Sequence, residues 1–286
     1  RDRLNRSVEE VGKISEAVET LQGSIHEIQT LPDRVQQLAE ELEKIKSLLN
    51  QRINRPAVRT EERLIQGQRI WQESYASFED QFRGTREDIK NRFRTYIPLV
   101  KDAVSGKPGM TVLDIGSGRG EWLELLRDAG IESSGLDQNP FFVNDCRRRG
   151  LSVVQAESIE YLSNLPAGSY YAVTAFHLIE HLDPKLLFLF GQLVFEALKP
   201  GGLLILETPN PENTEVARFK FHLDPTHYKP IPSDLLFFIL DYCGFKALSV
   251  KGLHPVVTGE CEKSPPMEPE QFSSFQDYAI TAWKPE

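Results

Sequence analysis

Apolar positions recur along this chain in two different rhythms. From Leu4 to Leu49 they fall at Leu4, Val8, Val11, Ile14, Val18, Leu21, Ile25, Ile28, Leu31, Val35, Leu38, Leu42, Ile45 and Leu49, in steps mainly of three and four with polar residues between. Such a seam predicts a coiled-coil helix. Consecutive steps of three at Val8-Val11-Ile14 and Ile25-Ile28-Leu31 predict local overwinding, and Pro32 predicts a kink in an otherwise continuous helix. At 1.5 Å per residue the rod would extend about 75 Å. A lone seam of that length is unstable in water, so a homo-oligomer with parallel chains is expected, its strand number open.

Arg55-Pro56-Ala57 marks a linker. Leu64 to Val104 then predicts two helices with aromatic anchors, joined at Phe82-Arg83-Gly84, with Gly84 as a helix stop. Beyond it the rhythm becomes short apolar runs alternating with helical stretches. Strands are expected at Val112–Ile115, up to Asp137, and at Leu151–Gln155, Tyr170–Phe176, Leu203–Glu207, Lys246–Leu253 and Tyr278–Trp283. Helices are expected at Leu186–Leu198, stopped by Lys199-Pro200-Gly201-Gly202, and at Ser233–Cys243, with Ser233 as N-cap. The alternation predicts an α/β, Rossmann-like sheet of seven mostly parallel strands with one antiparallel strand, preceded by the coiled coil. The expected domains are 1–55, an oligomerising helix; 56–104, a linker and helical cap; and 105–286, the α/β domain.

The first strand ends in Asp114-Ile115 and turns through Gly116-Ser117-Gly118-Arg119-Gly120 into an amphipathic helix, and about twenty residues on Asp137 closes a second run. That is the layout of a nucleotide-binding half, in which glycines let backbone approach the ligand. A dinucleotide turn needs a third glycine where this chain has Glu121, which disfavours NAD. Composition adds bounds. At 286 residues, 40% hydrophobic and 26% charged, the chain can bury one sizeable core plus an appendage. It begins with Arg1, so an excised or processed piece is expected. No apolar run reaches the roughly 20 residues of a membrane span. Cys146, Cys243 and Cys261 form no metal or redox spacing, which fits a reducing cytoplasm, with peripheral placement at the inner membrane through a partner or lipid-linked substrate left open. The net charge of −9 disfavours nucleic acid.

The glycine turn flanked by Asp114 and Asp137 resembles the first two motifs of class I S-adenosylmethionine (SAM) methyltransferases. Helix-KPGG-strand is a further feature of that superfamily. The resemblance implies SAM as cofactor, with the turn passing its methionine part, Asp137 taking both ribose hydroxyls, and Glu157 accepting from the adenine amino group. The residues it places at the cofactor are Asp114, Gly116, Ser117, Gly118, Arg119, Gly120 and Trp122, then Asp137 and Gln138, then Ala156, Glu157 and Ser158, and last Phe176 and His177. Arg83 or Arg86, just upstream, are candidates for the methionine carboxylate, or else surface arginines on a docking helix.

His177-Leu178-Ile179-Glu180-His181 also spells H-x-x-E-H, a zinc peptidase motif, but His177 ends a predicted strand and no other zinc signature follows. Its I-E-H part resembles the ubiquinone-biosynthesis O-methyltransferases and the plant small-RNA 2′-O-methyltransferase, which implies a divalent-ion site from Glu180, His181 and a histidine of the insertion; packing beneath the cofactor is the other reading, and no metal is assigned. FRGTREDIKNR, DIGSGRGEWLELL, HLIEHL and HLDPTHYKPIPSDL together resemble the methyltransferases of bacterial surface-polysaccharide assembly, over roughly Gln72 to Val256. That resemblance implies O-methylation of a sugar hydroxyl of an O-antigen-type glycan or its glycolipid precursor, ending chain growth, with a glycosyltransferase as a further partner.

Such a reaction needs a base near neutral pH, which suits histidine. His227 and His222, on the insertion, are the first candidates, then His181, with Asp224 orienting either; Tyr228 and Phe219 are candidates to stack on a sugar. Turn chemistry around Asp224-Pro225 is the blander reading. Metal-assisted methylation of a quinone-like hydroxyl, RNA 2′-O-methylation and a SAM-binding scaffold without turnover remain as alternatives.

Overall fold

The strands are β1 (Val112–Ile115), β2 (Ser133–Asp137), β3 (Val153–Gln155), β4 (Tyr170–Phe176), β5 (Leu198–Pro209), β6 (Lys246–Pro255) and β7 (Phe275–Trp283). They form one sheet in the order β3-β2-β1-β4-β5-β7-β6, parallel except for β7, which runs antiparallel to both of its neighbours. This is a computed structural model, and it describes residues 12, 16, 18–22, 34–48, 56–109, 111–255 and 269–286. The chain divides into two compact units, Arg1–Ile70 and Trp71–Glu286.

In the first unit, residues 18–22 and 34–48 are helical. The seam positions among them, Val18, Leu21, Val35, Leu38, Leu42 and Ile45, are exposed. The remaining seam positions and the kink expected at Pro32 lie outside the described residues, as do the loop after β6 and Cys261.

Helices α1 (Pro56–Phe82), α2 (Arg86–Phe93) and α3 (Ile97–Val104) precede the sheet, and α4 (Glu121–Asp128), α5 (Pro140–Arg148), α6 (Ser158–Ser163), α7 (Leu187–Ala197), α8 (Thr214–Arg218) and α9 (Ser233–Tyr242) connect its strands. β1 is buried at every position, as expected of a strand covered on both faces. Side chains alternate across it. Leu113 and Ile115 join Val173, Leu204 and Leu206 beneath α7 and α9, while Val112 joins Ala172, Leu203 and Ile205 beneath α2, α3 and α4. Each such leucine or isoleucine, fully buried, contributes on the order of 1.5–3 kcal/mol.

Three local expectations are corrected. The second cap helix is interrupted by a 3₁₀ turn at Arg94–Tyr96, because Pro98 has no N–H to continue the ladder and sits instead in the first turn of α3. Ser233 is the first helical residue of α9, not its cap; Pro232 holds that place without a side-chain hydrogen bond. β5 begins at Leu198, before the KPGG stretch, and its register with β4 shifts between Tyr170 and Ala172 to absorb those residues.

Candidate functional site

The carboxyl ends of β1, β2 and β4 open onto a cavity of about 730 Å³, lined among others by Gly116, Gly118, Asp137, Gln138, Ala156, Glu157, Ser158 and His177. Gly116 and Gly118 both adopt positive φ. The Asp137 carboxylate accepts from Gly118 N at 2.8 Å and from Asn139 N at 2.8 Å. Two oxygens offer about four acceptor positions, so capacity remains for a ligand. Burial pushes the Asp137 pKa up to about 6 against those two backbone bonds. The volume falls within the roughly 300–1,000 Å³ of ligand pockets, and the donor and acceptor set fits a ribose diol beside a glycine turn. SAM therefore fits this cavity.

Several residues expected at the cofactor do other work. Gly120 caps α4 and packs closely, since a Cβ there would lie 2.7 Å from Cys146 Sγ and 2.8 Å from Leu151 Cδ1. Arg119 turns away from the cavity: its guanidinium meets Asp80 Oδ1 at 2.9 Å and Gly84 O at 3.1 Å. Trp122 is buried, donates to Thr174 Oγ1 at 3.0 Å, and packs edge-on against Phe176, itself buried in the layer beneath α2. Thr174 Oγ1 in turn donates to Asp114 at 2.8 Å, so Asp114 props β1 against β4 below the cavity; burial pushes its pKa up to about 7. Ser117 is buried and bonds through its backbone N–H to Leu136 O. Glu157 reaches the cavity wall, but its carboxylate also caps α6 by accepting from Glu160 N at 2.8 Å. Of the two arginine candidates, Arg83 lines the cavity, while Arg86 is paired with Glu124 and donates to Arg119 O.

A second cavity of about 390 Å³ lies beside the first, and His177, His181, His227, Tyr75, Glu79 and Arg83 line both. The insertion folds back so that Tyr228 N donates to Glu180 O at 2.8 Å, which brings the rings of His181 and His227 to 4.6 Å between centroids. His227 Nδ1 lies 2.7 Å from Phe221 O. A carbonyl only accepts, so Nδ1 carries the proton and Nε2 a lone pair in the neutral ring. Burial and the neighbouring His181 lower the His227 pKa, against the pull of Glu180.

His181 Nδ1 lies 2.7 Å from Thr226 Oγ1, and that hydroxyl donates to Asp224 Oδ1 at 2.6 Å, so Nδ1 donates here too. Asp224 also accepts from Tyr75 OH at 2.8 Å. It thus orients His181 through Thr226, whereas His227 Nε2 is 3.9 Å from it. Burial opposes ionisation of Asp224, but its bonds from Thr226 and Tyr75 outweigh that and hold it below the usual carboxylate range. His222 is exposed and lines neither cavity, because the 3₁₀ turn Lys220–Leu223 buries Phe221 and turns its neighbour out.

His177 anchors the floor. Its Nδ1 is 3.3 Å from Glu180 Oε1 and its Nε2 is 3.5 Å from Glu207 Oε1 and 4.0 Å from Asp277 Oδ1. Burial works against its charge, but bonds to Glu180 and Glu207 and the charge of Asp277 prevail and push its pKa up to about 10. Glu207 also accepts from Tyr96 OH and faces His254 Nε2 at 3.4 Å. Among the described residues, two groups could hold a metal ion by distance: Glu180, His181 and His227, and His177, Glu207 and Asp277, each with ligand atoms within 4.8 Å of one another. The second would have to displace the proton of a strongly charged His177. The first has two imidazoles with free lone pairs and a buried carboxylate.

Sequence reasoning missed Tyr75, Thr226, Glu207 and Asp277. Thr226 carried a signal, the Asp-Pro-Thr spacing of an Asx turn, seen here as Thr226 N donating to Asp224 Oδ1 at 2.8 Å. Glu207 ends an apolar run as Asp137 does. Asp277 and Tyr75 carried none.

A family model described as "Methyltransferase domain" matches residues 89–250. A SAM-dependent methyltransferase from Archaeoglobus fulgidus, known by crystal structure, is 36% identical with a TM-score of 0.64, over 73% of this chain and 99% of that one. Phosphoethanolamine N-methyltransferase 2 of Haemonchus contortus, solved with S-adenosyl-L-methionine, shares the fold at 15% identity and a TM-score of 0.53, over 74% of this chain and 60% of that one. The ubiquinone biosynthesis O-methyltransferase of Xanthomonas campestris pv. campestris (strain B100) is 35% identical over 121 residues, 40% of this chain and 50% of that protein. The chain thus spans about half the length of the curated relatives it matches.

Proposed function

The chain belongs to the SAM-dependent methyltransferase family, and from that premise we propose that it methylates a hydroxyl of an acceptor seated in the smaller cavity. When bound, SAM supplies an electrophilic methyl group on a sulfonium. Asp137 would hold its ribose diol, Gly116 and Gly118 the turn beside it, Ala156 to Ser158 the base, and Arg83 the carboxylate. The observation that carries the reading is the histidine wall: His181 and His227 line both cavities and each keeps a lone pair on Nε2. A neutral imidazole there can take the proton of a hydroxyl approaching from the acceptor side. O-methylation also agrees with the ubiquinone biosynthesis O-methyltransferase relatives.

We read the acceptor as a sugar of a surface glycan or its lipid-linked precursor, supported by the resemblance of the HLDPTHYKPIPSDL insertion and by the mixed aromatic and charged lining of the smaller cavity. The test is transfer of an isotope-labelled methyl to a panel of glycosides and dihydroxybenzenes. Labelled product from a glycoside, lost in H181A/H227A while S-adenosylhomocysteine still binds, supports the reading; binding of SAM with no acceptor methylated overturns it.

A second reading is metal-assisted transfer, favoured by the convergence of Glu180, His181 and His227. These residues would hold a divalent ion that lowers the pKa of the acceptor hydroxyl. Activity that survives exhaustive chelation removes it. For residues 1–55 the proposal is a parallel homo-oligomeric coiled coil, supported by the three-four seam and by the exposure of its described positions.

A further inference from the structure

Asp277 ends the floor of the smaller cavity at the start of β7, where it pairs in register with Pro209 and Leu253. Its residue exposure is 7%, yet no hydrogen bond reaches its carboxylate among the described residues, and its one ion pair there is the 4.0 Å approach of His177 Nε2. The neighbouring carboxylates have closer partners. Glu207 is engaged by His177, His254 and Tyr96, and Glu180 by His177 and Thr208 Oγ1, the latter at 2.9 Å. The Asp277 side chain keeps 10% of its surface accessible and lines the cavity, so its acceptor positions are open to a ligand that supplies donors.

The charge of the cavity says what kind of ligand. Glu79, Glu207, Asp224 and Asp277 face it, and so do Arg83, Arg92, Lys220 and the protonated His177. Four negative groups meet four positive ones, so neither a polyanion nor a polycation is favoured. The outer wall is aromatic: Tyr75, Phe78 and Phe82 follow one another along α1, with ring centroids 5.9 Å and 4.8 Å apart. Gln276, next to Asp277, lines the same cavity and accepts from Lys220 Nζ at 2.8 Å. Aromatic rings together with a carboxylate and an amide in one cavity are a set that suits a neutral polyhydroxyl ring.

We propose that Asp277 is a specificity-determining residue that accepts hydrogen bonds from adjacent hydroxyls of a neutral sugar ring lying against Tyr75, Phe78 and Phe82, so that a different hydroxyl of that ring meets the His181/His227 wall. This rests on the reading of the chain as a hydroxyl methyltransferase and names its acceptor class. His177 couples the two ends, since its ring touches both Glu180 and Asp277.

The experiment uses the full chain, wild type and Asp277→Asn, with methyl glycosides of common hexoses, their monodeoxy derivatives, a dihydroxybenzene and an aliphatic amine as methyl acceptors. Binding of S-adenosylhomocysteine by calorimetry serves as the folding control. The expected result is that a neutral glycoside is methylated, that Asp277→Asn raises its KM at least about tenfold with kcat changed less than about threefold, and that one monodeoxy derivative shows no such rise. An unchanged KM for a glycoside that is methylated overturns the role of Asp277 and leaves hydroxyl methylation standing. Methylation of the dihydroxybenzene alone overturns the sugar class, and of the amine alone both this inference and the hydroxyl reading. If Asp277→Asn no longer binds S-adenosylhomocysteine, Gln276→Leu takes its place, with a smaller rise in glycoside KM expected and an unchanged value counting against the subsite.

Discussion

His177 follows β4 with φ at +52°, a conformation that L residues rarely adopt, and the turn it makes delivers its ring between Glu180, Glu207 and Asp277. An imidazole titrates near pH 6.5 in an unfolded chain and here near 10. Between these values only the folded state holds the proton, so the stability it confers is complete below about pH 6.5 and is lost as pH rises through about 10. The slope approaches about 1.4 kcal/mol per pH unit. Denaturant unfolding between pH 7 and 9.5 should show it in the wild type and not in H177Q; equal slopes would refute the assignment. Asp137 makes the converse case in binding. With its pKa near 6, its ability to accept from a diol fades as pH falls below that value, so SAM affinity should weaken between pH 7 and 5, and D137N should bind weakly at both. An affinity that does not change with pH would place the diol elsewhere. At the histidine wall, H227A should lower turnover by about 10²–10⁴-fold without loss of cofactor binding. Asp137 and the glycine turn were legible in the sequence because spacing places them. His222 was not separable from His227 there, since only the backbone of the insertion decides which ring turns inward.

At the scale of elements, the α1 to α2 turn brings the cap to the site. Thr85 caps α2 by accepting from Asp88 N while the Asp88 side chain accepts from Thr85 N, and Arg83 just before it lines both cavities. T85A should cost about 1 kcal/mol and T85S almost nothing; equal melting temperatures for T85A and wild type would contradict the role of the cap. Gly120, where α4 starts at φ +82°, meets Cys146 and Leu151 too closely for a Cβ, so G120A should destabilise by about 1–3 kcal/mol. The alternation of apolar runs made the seven strands readable, and KPGG made the end of α7 so. The interruption of the second cap helix was written in Pro98 and passed over. Glu207 was hidden for another reason: the acid at the end of β5 looks like one more solvated strand terminus until Tyr96 and His254, distant in sequence, close over it.

For the molecule as a whole, two units are described and both cavities are lined by residues of the second. No helix among the described residues is long and apolar enough to cross a membrane. The seam of the first 55 residues predicts that light scattering of the full chain gives an oligomer and that a chain starting at residue 56 gives a monomer; a monomer in both would end the coiled-coil proposal. The central claim is that donor and acceptor meet across one histidine wall. A crystal of the full chain with S-adenosylhomocysteine tests it most directly. The ribose diol should lie on Asp137 and the thioether sulfur should face His181 and His227 at the mouth of the smaller cavity. A ligand bound elsewhere, or one whose sulfur points away from that wall, would contradict it.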